Sequence, residues 1–577
     1  MEENDDEACR RPALPGRDGA FMSPRPARSA RPAAQRILAG GMAPLLVFIA
    51  ACLLYSIDLE RPPHPDELYH VLAARGLLEH GEPRIAEGLY TRTLAYTWLI
   101  AGMFSLLGES LSAARLPSLL AMAALGAGLF VWLRREAGTA VAALATGLFV
   151  LSPYALETAQ FARFYALQTL AFFLGCWAAY AALEPRAAGP GRRGGLALAA
   201  CLLLAVATYL QPTTLLGVAG LGLWLVLALA VPWLAAPAVP RRHKYLLVLL
   251  ALLLAVAGVA LLLATGMSDR LWVMYRNVPA FNRSRVDEFW YYHVFNVLYY
   301  PSLWPVVGFL CLAALAAWPR PALFAMTIFA TGFLLNSFAG PKNLRYAVYA
   351  QPFLFALFGL GLVAVWPWAR DCLAACRERL EGRLAALHIT GGWLPNGLVW
   401  GSLAFAVLAN AAVLRTATLL AGITVPPGLP PILWAEARPL VETRLATADV
   451  VVTMAELETL YFWDRYDLLF SPSRLGELAE QHQFAPDFRT GRPVISTVDA
   501  LERVFACSGS GMFVTNTHRW PKPDLVDQAT VDFIEREMTR LDLPRSTQLI
   551  VFTWEHPPLD PASPECAWLD ERRRDGR

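Results

Sequence analysis

Apolar runs of about twenty residues alternate with short polar breaks over the first two thirds of the chain, and the pattern then changes. A bilayer core about 30 Å thick takes roughly 20 apolar residues in helical form, because backbone polar groups in lipid must be bonded internally. Stretches 37–57, 116–133, 139–156, 164–182, 196–211, 213–233, 245–266, 301–318, 321–338, 346–368 and 396–414 meet that length, which predicts eleven spans. Arg25, Arg28, Arg31 and Arg36, Arg134–Arg135, Arg186 with Arg192–Arg193, Arg241–Arg242 with Lys244, Arg320, and Arg370 through Arg383 all fall on one side of this threading. By the positive-inside rule that side is the cytoplasm. Residues 1–36 are then a basic cytoplasmic tail, 37–414 a membrane domain with outside loops about 58–115 and 267–300, and 415–577 an extracytoplasmic domain. The first apolar stretch lies far from the N-terminus and lacks a small-residue cleavage site, so it reads as a retained anchor.

Beyond residue 415, AELETLYFWDRY, RPVISTV, GMFVTNT and QLIVFTW alternate acid-rich helical segments with short β-branched strands, predicting an α/β domain. That region holds 24 Asp and Glu against 17 Lys and Arg, about half of all 47 acids. It carries no Gly-rich dinucleotide or Walker loop, hence no cofactor by sequence. Cys507 and Cys566 are its only thiols, and the sequence leaves a bridge between them open.

Composition sharpens the class. The chain is 56% hydrophobic and 17% charged, against about 25% charged in ordinary soluble proteins. A net charge of +2 gives no reason to expect a nucleic-acid partner. A polytopic α-helical membrane protein of about 11 spans with an outside α/β domain is the fold expected.

Candidate chemistry begins about seven residues past the first span, at HPDELYH (64–70). Adjacent carboxylates Asp66 and Glu67 are costly at a membrane surface unless paired or hydrated, so their presence suggests use. The plainer reading is a helix start, with Pro65 in the first turn and acids set against the dipole. A metal site is the weaker reading: Glu67 and His70 have Glu-x-x-His spacing, but a second such motif is missing, and the order is wrong for a zinc helix. Arg84 and Arg92, Arg115, Glu157 and Arg163, and Lys342 with Arg345 fall on the same outside face. Each cation alone is an ordinary interface anchor. Together they suit a reaction on a phosphorylated lipid, with cations holding phosphate and a carboxylate handling the acceptor proton. The 267–300 loop adds Trp272, Tyr275, Arg276, Trp290, Tyr291, Tyr292, Tyr299 and Tyr300, which suit an interfacial aromatic belt or a stacking surface for sugar or prenyl groups.

The ordered set DELYH, LLGESLSAARLPSLLAMAALGAGLFVWLRRE, LSPYALETAQFARFYALQTL and KNLRYAVYAQPFLFALFGLGL resembles the polyprenyl-phosphate-dependent glycosyltransferases of the GT-C class, over roughly residues 37–370. The branch resembled includes aminoarabinose transferase and the protein O-mannosyltransferases. The resemblance implies an essential Asp at Asp66, a second acid at Glu157, and a basic residue opening a first-loop helix at Arg92. Here Thr91-Arg92-Thr93 replaces the family's frequent Lys-Pro-Pro. It further implies a donor carrying one sugar on a polyprenyl phosphate, used in the cell (inner) membrane at its outside face.

The catalytic residues expected are therefore Asp66, Glu67 and Glu157. Arg92, Arg115, Arg163, Lys342 and Arg345 are the expected ligands of the donor phosphate, and Asp66 takes the acceptor proton in an inverting displacement. No obligatory metal is expected, a divalent cation being left open. The acceptor is a glycolipid, a polymer or a protein, and the outside domain is expected to govern its choice or the protein's stability. Two rivals from other classes are a transporter or flippase of lipid-linked sugars, which should place charge near mid-span and show repeats, and a non-catalytic envelope assembly subunit.

Overall fold

The computed structural model describes residues 33–183, 190–230, 289–340, 342–386, 411–422 and 431–560 apart from 473, 475–482 and 524, with a few isolated positions besides. Residues 44–577 form one compact unit and residues 1–43 another. Apolar helices dominate to residue 420. They begin with α1 (Ala33–Tyr55), α2 (Pro65–His80), α3 (Leu94–Leu107), α4 (Leu111–Glu136), α5 (Thr139–Val150), α6 (Pro153–Ala159) and α7 (Tyr165–Ala182). Further helices cover Pro190–Leu210, Thr214–Ala230, Tyr291–Tyr299, Val307–Ala317, Pro319–Phe338, Gln351–Ala386 and Ala411–Leu420. Five helices among the described residues are long and apolar enough to cross a bilayer, six if α5 and α6 form one broken span. The protein is a polytopic membrane protein; the expected span 245–266 and most of 396–414 lie outside the described residues.

Two expected spans depart from a plain helix, each for a local reason. The stretch 139–156 bends by 60° between α5 and α6. Ser152 caps the new helix, its Oγ accepting from the Ala155 N–H at 3.2 Å, and Pro153 follows at the first position, where its missing N–H costs nothing. The stretch 301–318 is helical only over Val307–Ala317, after Pro301 and Pro305.

Helix α4 runs from Arg115 near the candidate site to Glu136 at the bundle's other end. There the Tyr180 hydroxyl donates to Glu136 at 2.7 Å, and Arg320 donates to the Tyr180 carbonyl at 3.2 Å. Residues from two loops expected on the cytoplasmic side thus meet at one end.

Strands β1 (Arg84–Ile85) and β2 (Gly88–Leu89) form a small hairpin after α2. The second sheet comprises β3 (Val450–Thr453), β4 (Leu468–Phe470), β5 (Ala485–Pro486), β6 (Pro493–Ile495), β7 (Ser510–Asn516), β8 (Thr539–Arg540) and β9 (Leu549–Glu555), in the order β5-β6-β4-β3-β7-β9-β8. The central pairs β6–β4, β4–β3 and β3–β7 are parallel, and β9 runs antiparallel to β7. All four residues of β3 are buried, as expected of a strand covered on both faces. On one face Phe470, Phe513, Trp520 and Phe552 fill a core of the sheet's own. On the other, Val451, Leu469 and Val494 share a core with Leu68, Val71 and Leu72 of α2. Cys507 and Cys566 are disulfide-bonded.

That shared core clamps α2 between the helix bundle and the sheet. The β1–β2 hairpin completes the clamp, the Glu87 and Gly88 N–H groups both donating to the Thr490 carbonyl at 3.0 and 2.9 Å. Gly491 sits beside them at φ +73°, a left-handed conformation, and a Cβ there would lie 2.8 Å from the Glu87 carbonyl carbon.

Candidate active site

Helix α2 starts with a reciprocal cap. His64 Nδ1 accepts from the Asp66 N–H at 3.1 Å, Glu67 Oε1 accepts from the His64 N–H at 3.0 Å, and Pro65 occupies the first turn. Helix geometry then sends Asp66 and Glu67 about 100° apart, and the two carboxylates meet different surroundings.

Glu67 is buried and saturated. Its Oε2 accepts from Arg115 Nε at 2.8 Å and from the Ala162 N–H at 3.0 Å, while Oε1 accepts from Arg115 Nη2 at 2.9 Å. Arg115 Nη1 donates to the carbonyls of Leu59 and Arg61 at 2.5 and 3.0 Å. Burial raises the Glu67 carboxyl, but Arg115 and the two backbone N–H groups outweigh it and hold the group below the ordinary carboxylate range. With Arg115 fully buried and four of its five N–H groups engaged, the pair braces the loop, and Glu67 also stands in the wall of the neighbouring cavity.

Asp66 faces the cations instead. Arg345 Nη1 lies 2.6 Å from its Oδ2, and His64 Nδ1 lies 3.9 Å from the same oxygen. Burial raises the Asp66 carboxyl, yet Arg345, His64 and Arg163 together hold it well below the ordinary value. Arg345 is itself positioned by Asn343, whose Oδ1 accepts from its Nε at 3.0 Å, and its guanidinium lies over Phe161, 5.1 Å from the ring centre. Arg163 is 4% exposed; Nη1 donates to the Asp66 carbonyl at 2.9 Å, and its buried Nε has no hydrogen-bond partner. Arg163 and exposed Arg92 both lie against Phe164, at 5.1 and 5.6 Å from its centroid.

Lys342 departs from expectation. Its Nζ donates to the carbonyls of Asn336 at 3.3 Å, Ser337 at 2.6 Å and Ala339, at the carboxyl end of the helix Pro319–Phe338. All three ammonium donors satisfy helix-end carbonyls, where a cation also meets the favourable end of the dipole. Of the five expected phosphate ligands, Arg163 and Arg345 contact Asp66, Arg92 shares the Phe164 ring with Arg163, and Arg115 and Lys342 are engaged by other partners.

Next to this cluster lies a cavity of about 720 Å³, with Arg61, His64, Glu157, Tyr165, Arg345 and Arg415 in its wall. Glu157 pairs there with Arg415 at 3.4 Å. Arg415 follows the last expected span, where a lone cation reads as an interface anchor, so the sequence did not single it out. The outer sheet supplies Glu458, Asn516, His518 and Arg519 to the same cavity, none of which the sequence marked. Of the aromatic loop's described residues, Tyr291 also lines the cavity and the Tyr292 hydroxyl donates to the Asn343 carbonyl at 3.0 Å. Trp272, Tyr275 and Arg276 lie outside the described residues.

Known proteins share this architecture. Residues 91–260 match the family model of dolichyl-phosphate-mannose-protein mannosyltransferases. The fold matches apo ArnT from Cupriavidus metallidurans with a TM-score of 0.57 at 18% identity, covering 90% of this chain and 98% of that one. The same protein bound to undecaprenyl phosphate matches with a TM-score of 0.56 at 16% identity, over 90% and 98% of the two chains. An Archaeoglobus fulgidus oligosaccharyltransferase tethered to an acceptor peptide matches at 0.50 and 12% identity, over 82% of this chain and 69% of that one. No curated protein matches significantly in sequence. The chain thus shares the fold of ArnT, and residues 91–260 carry the match to the mannosyltransferase family, in keeping with the GT-C class that its ordered motifs resemble.

Proposed function

We propose that the protein transfers a sugar from a polyprenyl-phosphate donor to an acceptor hydroxyl at the extracytoplasmic membrane face, with inversion. The observation that carries this reading is the pairing of Asp66 with Arg345 beside Arg163 and Arg92: one carboxylate among three guanidinium groups, next to a large cavity. A phosphate monoester requires cations, and a hydroxyl nucleophile requires a base.

The two needs are coupled through Arg345. While it grips Asp66, the carboxylate is a poor base, since its proton affinity is held down. A donor phosphate competes for the same guanidinium and frees Asp66 for the acceptor hydroxyl. The acceptor oxygen then bonds to the anomeric carbon as the bond from that carbon to the phosphate oxygen breaks. The hydroxyl proton passes to Asp66, and polyprenyl phosphate leaves with its charge held by Arg345, Arg163 and Arg92. Glu157, paired with Arg415 across the cavity, orients the acceptor. No step here uses a metal ion, and a rate unchanged by chelators is the expected outcome.

Support for the polyprenyl donor comes from ArnT, a fold neighbour described with bound undecaprenyl phosphate. The test is sugar transfer by the purified protein from a synthetic polyprenyl-phosphate sugar to an envelope extract. Movement of the donor across the bilayer of reconstituted vesicles without any sugar transfer identifies a flippase, and failure of both activities leaves the assembly-subunit reading.

A further inference from the structure

The outer sheet reverses its strand order beside the cavity. From β3 the chain proceeds to β4 and then β6 on one side, and returns through the helix Val498–Cys507 to β7 on the other side of β3. The segments leaving the carboxyl ends of β3 and β7 therefore part, opening a crevice at the place where open α/β sheets bind ligands. Four residues of the cavity wall come from these two segments: Glu458 follows β3, and Asn516, His518 and Arg519 end or follow β7.

Two of them are buried polar groups with unmet hydrogen-bonding capacity. Glu458 is 4% exposed and Asn516 1%. Glu458 Oε1 faces Arg519 at 3.7 Å, while Oε2 has no hydrogen-bond partner. Asn516 Oδ1 accepts from the His518 N–H at 3.0 Å, which fixes the amide, and Nδ2 has no partner. Buried donors and acceptors are normally satisfied, and leaving one unmet costs about 1–3 kcal/mol. Both residues stand in the wall of one cavity with the unmet oxygen and nitrogen just behind its surface, so that turning either side chain inward brings it to a ligand.

We propose that this crevice is the acceptor subsite and that it binds a saccharide. The inference rests on the glycosyltransferase reading above and assigns that reaction's second substrate. A carboxylate oxygen that accepts and an amide nitrogen that donates match the neighbouring hydroxyls of a sugar ring, each of which both donates and accepts. Tyr154, Tyr165, Tyr291 and Phe161 in the cavity wall supply flat surfaces for the ring's C–H faces. Burial pushes the Glu458 carboxyl up, and Arg519 offsets part of this. A peptide backbone has the same donors and acceptors, so it is the aromatic faces in the wall that favour a sugar ring. The sheet's switch point thus presents the acceptor across the cavity from Arg345, which binds the donor.

Two measurements on the full-length protein test this separately from the reading it rests on. Saturation-transfer NMR is recorded with the oligosaccharides released by mild acid from envelope glycolipids, and in parallel with tryptic peptides of envelope proteins. The wild type is expected to bind the oligosaccharides, and Glu458→Gln and Asn516→Ala to lose roughly ten- to a hundredfold in affinity, the worth of one hydrogen bond to a charged or buried partner. Transfer kinetics should show the same variants raising KM for the acceptor more than they lower kcat, with affinity for undecaprenyl phosphate retained. Peptide binding alone, no saccharide binding by the wild type, or unchanged affinity in both variants overturns the subsite. Saccharide binding without sugar transfer leaves the subsite standing and overturns the glycosyltransferase reading instead.

Discussion

Arg345 and Asp66 are separated by 279 residues of sequence and joined at 2.6 Å. One residue opens the helix that follows the first span, and the other opens the helical segment after Pro319–Phe338. Their bond brings the expected base and an expected phosphate ligand into one ion pair, which is what couples donor binding to the base in the proposed reaction.

Asp66→Asn is expected to keep donor affinity and lower turnover roughly 10²–10⁴-fold, the range for a positioned acid–base group. Single-turnover transfer with saturating donor measures it. Near-normal turnover in a folded variant moves the base to Glu157.

The pH dependence tests the ion pair. Because the cations hold the Asp66 carboxyl below its ordinary value, wild-type kcat/KM stays level through the usual carboxylate range as pH falls. Removing one cation raises that proton affinity, so in Arg345→Gln the acid limb of kcat/KM moves to higher pH. An unmoved limb separates Asp66 from the titrating group. Arg345→Lys should also weaken donor binding, since a point charge cannot reproduce a planar two-bond grip.

Glu67 and Arg115 should behave as a structural pair. Breaking a buried ion pair by removing one partner costs about 3–5 kcal/mol, so Arg115→Met and Glu67→Gln are expected to lower the Tm before they alter chemistry. Thermal unfolding in detergent reads this. Full stability combined with lost donor affinity in Arg115→Met returns the residue to the phosphate site.

Lys342→Met leaves three helix-end carbonyls without their ammonium donor. A lower Tm with unchanged affinity for polyprenyl phosphate is the expected outcome, and a selective loss of affinity contradicts it.

A methyl group on Gly88 would collide with the Arg489 carbonyl. Gly88→Ala is therefore expected to loosen the hairpin from the outer sheet and expose α2 to proteolysis. Removing residues 430–577 should act more strongly and weaken donor binding, because it strips the sheet side of the core shared with α2. Native donor affinity in a well-inserted truncation shows that α2 holds Asp66 without the outer sheet.

Much of the architecture is local in origin, and the sequence determined it. Long apolar runs must become helices in lipid, whatever packs beside them. The cap at His64, Pro65 and Glu67 forms within four residues, and alternating β-branched runs after residue 449 became strands of a sheet. That the charged cluster gathers at one end of the helices could also be read, since Asp66, Arg163 and Arg345 all stand at the ends of apolar runs. Only the tertiary structure decided which charges are available for chemistry. Asp66 and Glu67 are neighbours of one chemical type, yet one meets Arg345 at the cluster and the other pairs with buried Arg115. Lys342 and Arg345 are three residues apart, yet one closes a helix end and the other reaches Asp66. Glu458 and Asn516 carried no motif at all, because their meaning depends on a strand reversal that brings two distant loops to one cavity. A charge's role is set by the partners that fill its hydrogen-bonding capacity, and those partners come from residues tens to hundreds of positions away.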